Sequence, residues 1–193
     1  MTRTLGLIVL ALALLFVPSA AHASGDFNFV YGTRSLDHDF WDPVDDQEVY
    51  GATLDFGGAH WPVNIAIGYS KSHDDGTIAT FPVFGSVDLD VHIEEYSLGI
   101  EKVWKAGKVV RPFVGGGFAY VKTDAKVDSV LGSTRDDDTT NGFYIDGGVF
   151  FRLGSAFNVG IDGRFMEGTD VTLFDQDGDA DYWQIGGLLG FGW

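Results

Sequence analysis

From about residue 26 to its end the chain alternates apolar and non-apolar positions with a period of two, the period of a β-strand. The stretch Tyr182 to Trp193 (YWQIGGLLGFGW) shows it most clearly. Trp183, Ile185, Gly187, Leu189, Phe191 and Trp193 make one face, apolar with an aromatic near each end. Tyr182, Gln184, Gly186, Leu188, Gly190 and Gly192 make the other, mostly of small residues. A half-buried strand of a soluble sheet sets an apolar face against a polar one. A glycine-rich face suits the crowded inside of a narrow closed barrel, with the apolar face turned out to lipid. The same alternation predicts strands at roughly 26–34, 48–57, 62–72, 87–104, 109–123, 142–153, 157–167 and 182–193. Apart from the amino-terminal run, no segment shows a 3.6-residue period, so the fold is expected to be all-β.

The links between these segments sort into two kinds. GGAHW (57–61), KAG (105–107) and GSA (154–156) are short, whereas 35–47, 73–86, 124–141 and 168–181 are long and polar. Short turns at one end and long loops at the other predict an eight-stranded antiparallel up-and-down transmembrane β-barrel. Aromatics support this. Tyr31, Tyr50, Tyr69, Tyr96, Tyr120, Phe143, Phe165 and Trp183 stand at the long-loop ends, and Phe56, Trp61, Trp104, Phe157 and Trp193 near the short turns. Two such girdles around an aliphatic band match two membrane interfaces. Lys102 interrupts the band and is expected to snorkel to an interface. Leu89, Val91 and Ile93 have the opposite parity to Tyr96, Leu98 and Ile100. Either a bulge at Glu94–Glu95 restores the phase, or residues 87–93 stand above the bilayer.

The inward face carries Arg34, Asp55, Glu95, Glu101, Arg111, Asp146, Arg152, Asp162 and Arg164. The lumen of an eight-stranded barrel is just wide enough for side chains to fill it, so these charges must largely pair. A three-residue turn at 154–156 sets Leu153 against Phe157 and Asp146 against Arg164. A turn at Lys105–Gly107, with Gly107 at positive φ, sets Glu101 against Arg111.

Residues 1–23 have a basic start (Arg3), an apolar run from Leu5 to Val17, Pro18 and a small-x-small ending, Ala21-His22-Ala23. This is the pattern of a secretory signal peptide, too short for a membrane-spanning helix. The barrel domain is then expected at 24–193. Intact-mass analysis of outer-membrane protein should find Ser24 at the amino terminus; a full-length chain in the inner membrane would reject the assignment. The net charge of −16 includes Arg3. An acidic chain without a basic stripe argues against nucleic-acid binding. The chain contains no cysteine, which excludes disulfides, thiolate metal sites and cysteine nucleophiles.

RPFVGGGFAY (111–120), the terminal LLGFGW and the alternation of long and short links resemble the small eight-stranded outer-membrane barrels of the OmpX type and the OmpA transmembrane domain. The resemblance implies residence in the outer membrane of a Gram-negative cell, among outer-membrane lipids and lipopolysaccharide. It also implies recognition of the carboxy-terminal strand, with its final aromatic, by the barrel-assembly machinery. In that family the lumen is packed with polar side chains, and roles include structural support, adhesion, surface defence and a narrow pore. No peptidoglycan-binding domain is expected after the barrel. The role expected here is structural or surface-interacting and non-catalytic, performed by a monomer.

Other chemistry is thin. His92 and Glu94 share a face, and His38 and His73 fall in loops. Some barrels of this size trim or acylate lipid A with a serine and a histidine near the outer interface; here that would require His92, Ser70 and Glu94 to meet. The runs Gly57-Gly58, Gly115–Gly117 and Gly186-Gly187 lack the helix and lysine of a phosphate loop and read as relief of crowding. The loops are acidic: Asp37, Asp39, Asp42, Asp45 and Asp46, then Asp136, Asp137 and Asp138, then Asp175, Asp177, Asp179 and Asp181. Solvated loops explain these, and a weak, water-rich divalent cation site on the last loop, completed by Asp37 or Asp39, is the alternative. It does not match an EF-hand, because Gly178 and Gly186 fall at the wrong positions. No catalytic, cofactor-binding or metal-ligating residue and no cofactor is assigned. A narrow channel, a lipid A-modifying enzyme and a soluble lipocalin-like barrel remain as alternatives.

Overall fold

The computed structural model describes residues 23–36, 41–58, 60–81, 85–130 and 132–193. The predicted leader lies outside them except for Ala23, where the first strand starts. The barrel strands are β1 (Ala23–Leu36), β2 (Asp46–Gly58), β3 (Asn64–Phe81), β4 (Gly85–Val103), β5 (Val110–Ser129), β6 (Gly132–Leu153) and β7 (Phe157–Glu167). A small hairpin, β8 (Asp170–Leu173) and β9 (Gln176–Asp179), fills the last link, and β10 (Tyr182–Gly192) ends the barrel. Each barrel strand pairs antiparallel with the next, and β10 closes on β1, Phe29 facing Leu189 and Arg34 facing Gln184. Within the ring, closure leaves no unpaired edge.

The two faces sort as the alternation predicts. In β10 every residue from Tyr182 to Gly192 alternates buried and exposed, the even positions inward. Phe118, Phe143 and Ile145 are each 63% exposed, and Leu98, Ile161 and Phe191 also lie on the outside. So broad an apolar exterior has no place in water and fits a bilayer. The inward glycines make room for polar side chains: a Cβ on Gly192 would run into Arg152 and Asp26, and one on Gly115 into Asp146.

Turn chemistry sets most of the register. Gly154 takes φ +63°, Leu153 faces Phe157 and Asp146 faces Arg164, as expected. Gly107 also has positive φ, +91°, but the turn it makes is flanked by Ala106 and Val110. Glu101 therefore faces Gly115 and not Arg111, and the expected pairing is wrong although both face assignments depend only on parity. The Arg111 guanidinium instead donates to the carbonyls of Gly107, Lys108 and Val110 at the short-turn end. Lys102 does reach that end, its Nζ donating to the Pro62 carbonyl.

Two of the long links are not loops. β3 and β4 stay paired from Tyr69–Tyr96 out to Phe81–Gly85, and β5 and β6 as far as Ser129–Gly132. β4 keeps one register with β5 from Val87 to Val103, so no bulge occurs at Glu94–Glu95. Leu89, Val91 and Ile93 change the apparent phase because, beyond the girdle, the apolar side chains belong inside. There Val91 and Ile93 join Leu36, Trp41, Val44, Ala119, Val121, Ala125, Met166, Val171, Leu173 and Ala180 in a buried cluster over the outer mouth.

Candidate functional site

The lumen holds polar groups at two levels. At the outer one, register sets Arg34, Gln184, Arg164 and Asp146 side by side on β1, β10, β7 and β6. Glu95 comes from the opposite wall beside Ser70. Its Oε2 lies 3.0 Å from Arg34 Nη2 and its Oε1 3.0 Å from Arg164 Nη1, so one carboxylate bridges two guanidinium groups. The Tyr182 hydroxyl donates to Oε2 at 2.5 Å. Arg34 also donates to Gln184 Oε1 and Ser70 Oγ, and Ser72 Oγ donates to Gln47 Oε1. The Arg34 and Arg164 guanidinium carbons lie 3.8 Å from the ring centres of Tyr182 and Tyr144. Tyrosine, arginine, glutamate, arginine and tyrosine thus cross the barrel together, with Glu95 1% exposed. The ion pair of Arg164 is made with Glu95, while Asp146 Oδ1 lacks a hydrogen bond.

Nearer the short turns Arg152 pairs with Asp26 and donates to Asn158, which in turn donates to Asp26 and Asn28. Asn64 donates to Asp55 at 2.5 Å, and Phe113, Phe150 and Leu188 fill the space beside this group. Sequence alone does not single out Asp26, Asn28 and Asn158 as lumen partners, although parity with Arg34 on β1 and Arg164 on β7 places them inward; Gln47 falls in the expected first link.

The enzyme candidate does not assemble. Ser70 points into the lumen and hydrogen-bonds Arg34 and Glu95, whereas His92 and Glu94 stand on the outer surface. Glu94 pairs with Lys71 there. His73 lies in β3 rather than in a loop, directly opposite His92, with the rings stacked 4.4 Å apart. Burial holds His92 below the ordinary histidine pKa, opposed by the neighbouring Asp90 carboxylate.

The last acidic loop is also more structured than expected. Phe174 and Asp175 both take positive φ, the two central positions of a tight hairpin turn. Asp181 accepts from the Thr169 amide and hydroxyl, and Asp177 from the Thr172 hydroxyl. Asp138 and Asp136 on β6 cap the Thr172 and Phe174 amides. Asp177 and Asp181 thus each spend an oxygen on a threonine, and Asp175 sits in the turn, so the four aspartates of this loop do not line one extended face. Asp37, Asp39 and His38 lie outside the described residues.

A closed barrel with an apolar exterior, aromatic girdles and a polar lumen defines a transmembrane β-barrel. The sequence matches the outer membrane protein beta-barrel domain family over residues 7–193, and the chain belongs to that family. It is an outer-membrane protein. No curated protein matches the chain. Among solved structures it is similar to the outer membrane protein OprG of Pseudomonas aeruginosa, at 13% identity and TM-score 0.60, covering 89% of this chain and 97% of that one. It is also similar to Ail, the attachment invasion locus protein of Yersinia pestis, solved with the heparin analogue sucrose octasulfate: 12% identity, TM-score 0.58, 89% and 99% covered. The amino-terminal barrel domain of Pseudomonas aeruginosa OprF gives 16% identity and TM-score 0.57, with 89% and 98% covered.

Proposed function

We propose that this barrel is a non-catalytic display scaffold, which holds a rigid extracellular sheet above the outer membrane for surface interaction. One observation carries the reading. The strands β3 to β6 run past the Tyr69–Tyr96–Tyr120 girdle by up to about a dozen residues, roughly 30–40 Å of paired sheet. Hydrogen-bonded strands present side chains in fixed positions, as loops do not. Carboxylates dominate that extension: Asp75, Asp88, Asp90, Glu94, Asp124, Asp128 and Asp137 outnumber Lys71, Lys122, Lys126 and Arg135. Such a surface favours cationic partners and repels polyanions, so the sulfated ligand of Ail is not carried over to this chain.

The competing reading is a narrow channel. The bridge through Glu95 and the lid around Trp41 and Val44 occupy the lumen at successive heights, which supports a plugged barrel. Purified protein refolded into planar bilayers is expected to give no discrete conductance steps. A large, stable open state would establish the channel instead.

A further inference from the structure

We propose that His73, Asp90 and His92 form a binding site for a divalent transition-metal ion on the outer face of the β3–β4 hairpin. His73 and His92 are cross-strand partners, and Asp90 lies two residues from His92 on the same face of β4. One donor atom from each residue falls within 4.8 Å of the other two. Asp90 Oδ1 is 3.4 Å from His73 Nδ1 and 3.3 Å from His92 Nε2. A tetrahedral ion with bonds of about 2.0–2.1 Å sets neighbouring donors about 3.3–3.4 Å apart, so two edges of the polyhedron are already at length.

These contacts are not hydrogen bonds. His73 Nδ1, Asp90 Oδ1 and His92 Nδ1 are shielded from solvent and have no hydrogen-bond partner. Unsatisfied, shielded polar atoms are costly and call for an explanation. An ion between Asp90 Oδ1 and the imidazole nitrogens facing it satisfies the carboxylate and His73 Nδ1 together. The neighbouring acids do not fill the role: Asp124, beside His92 on β5, is held by Arg135, and Asp75 is 3.8 Å from His73 Nε2, on the far side of that ring.

Two imidazoles and one carboxylate select a borderline ion such as zinc over calcium or magnesium, which prefer all-oxygen cages. Three protein ligands leave at least one position open, and the side chains are 38–43% exposed, so an outside donor can reach it. The site sits four residues past Tyr69 and Tyr96, about 13 Å along the strands from the girdle. It therefore faces the headgroup region, where a phosphate or carboxylate of the lipid surface is the available fourth ligand. Sequence alone raises no such expectation, because His73 reads as a loop residue.

The test is calorimetric titration of tag-free, detergent-refolded protein with zinc chloride. One saturable site per chain is expected, weakened at least tenfold by His73→Ala, by His92→Ala and by Asp90→Asn, and unchanged by His60→Ala. Cobalt should give a visible ligand-field band in the wild type that the two histidine variants lose, while millimolar calcium neither produces heat at the site nor displaces zinc. Heat-shifted gel migration establishes that each variant is folded. Absence of saturable zinc binding by the wild type, or an isotherm that the double variant His73→Ala plus His92→Ala leaves unchanged, overturns the proposal.

Discussion

Glu95→Gln is expected to destabilise the refolded barrel by about 3–5 kcal/mol, against about zero to one for Glu94→Gln one residue away. The two glutamates differ only in which face of β4 they occupy. Glu94 pairs with Lys71 on the outer surface, where both side chains are partly solvated and water replaces the lost partner. Glu95 is buried between Arg34 and Arg164, and its amide replacement keeps the shape while removing the charge that compensates both guanidinium groups. The tyrosine rings over each arginine soften this loss but supply no counter-charge. Urea unfolding in detergent, followed by tryptophan fluorescence, reads the difference. Equal losses from the two variants would remove the bridge as an organising contact. Asp146→Asn is expected to cost less than Glu95→Gln, because Arg164 spends its ion pair on Glu95.

That last expectation shows what alternation alone can and cannot fix. Parity assigns a side chain to the inside or outside, and turn geometry then assigns its neighbours on adjacent strands. Both steps succeed for Asp146 and Arg164, and the turn step fails for Glu101 because the β4–β5 turn lies further along than Lys105–Gly107. Neither step reports contacts across the lumen. The partner of Arg164 comes from β4, on the opposite wall, and nothing local to β7 points to it.

The outer extension was hidden for a different reason. Membrane strands announce themselves by an apolar outer face, and beyond the girdle that face meets water, so 73–86 and 124–141 look like polar loops. The surviving signal was the reversed parity of Leu89, Val91 and Ile93, whose apolar side chains turn inward under the lid. The lid residues Trp41 and Val44 gave no periodic signal because they belong to a loop. The His73–Asp90–His92 group shares this blindness: His73 is remote in sequence from the other two and meets them only once the hairpin is extended.

Ile161→Arg is expected to destabilise the barrel in a lipid bilayer by about 2–4 kcal/mol. Ile161 is 57% exposed and stands midway along β7, four residues from Phe157 at one girdle and four from Phe165 at the other. An outward residue at mid-height faces hydrocarbon, where a guanidinium loses its hydration and the snorkelling distance to either interface is longest. The same change at Thr134, exposed near the tip of the β5–β6 hairpin, is expected to fall within about 0.5 kcal/mol of wild type, as surface substitutions do. Accessibility in the isolated chain does not separate the two sites, since both side chains are exposed. The surrounding solvent alone distinguishes them. Denaturant unfolding of protein refolded into lipid vesicles measures both, and similar small effects at Ile161 and Thr134 would mean that the apolar belt does not lie in the bilayer.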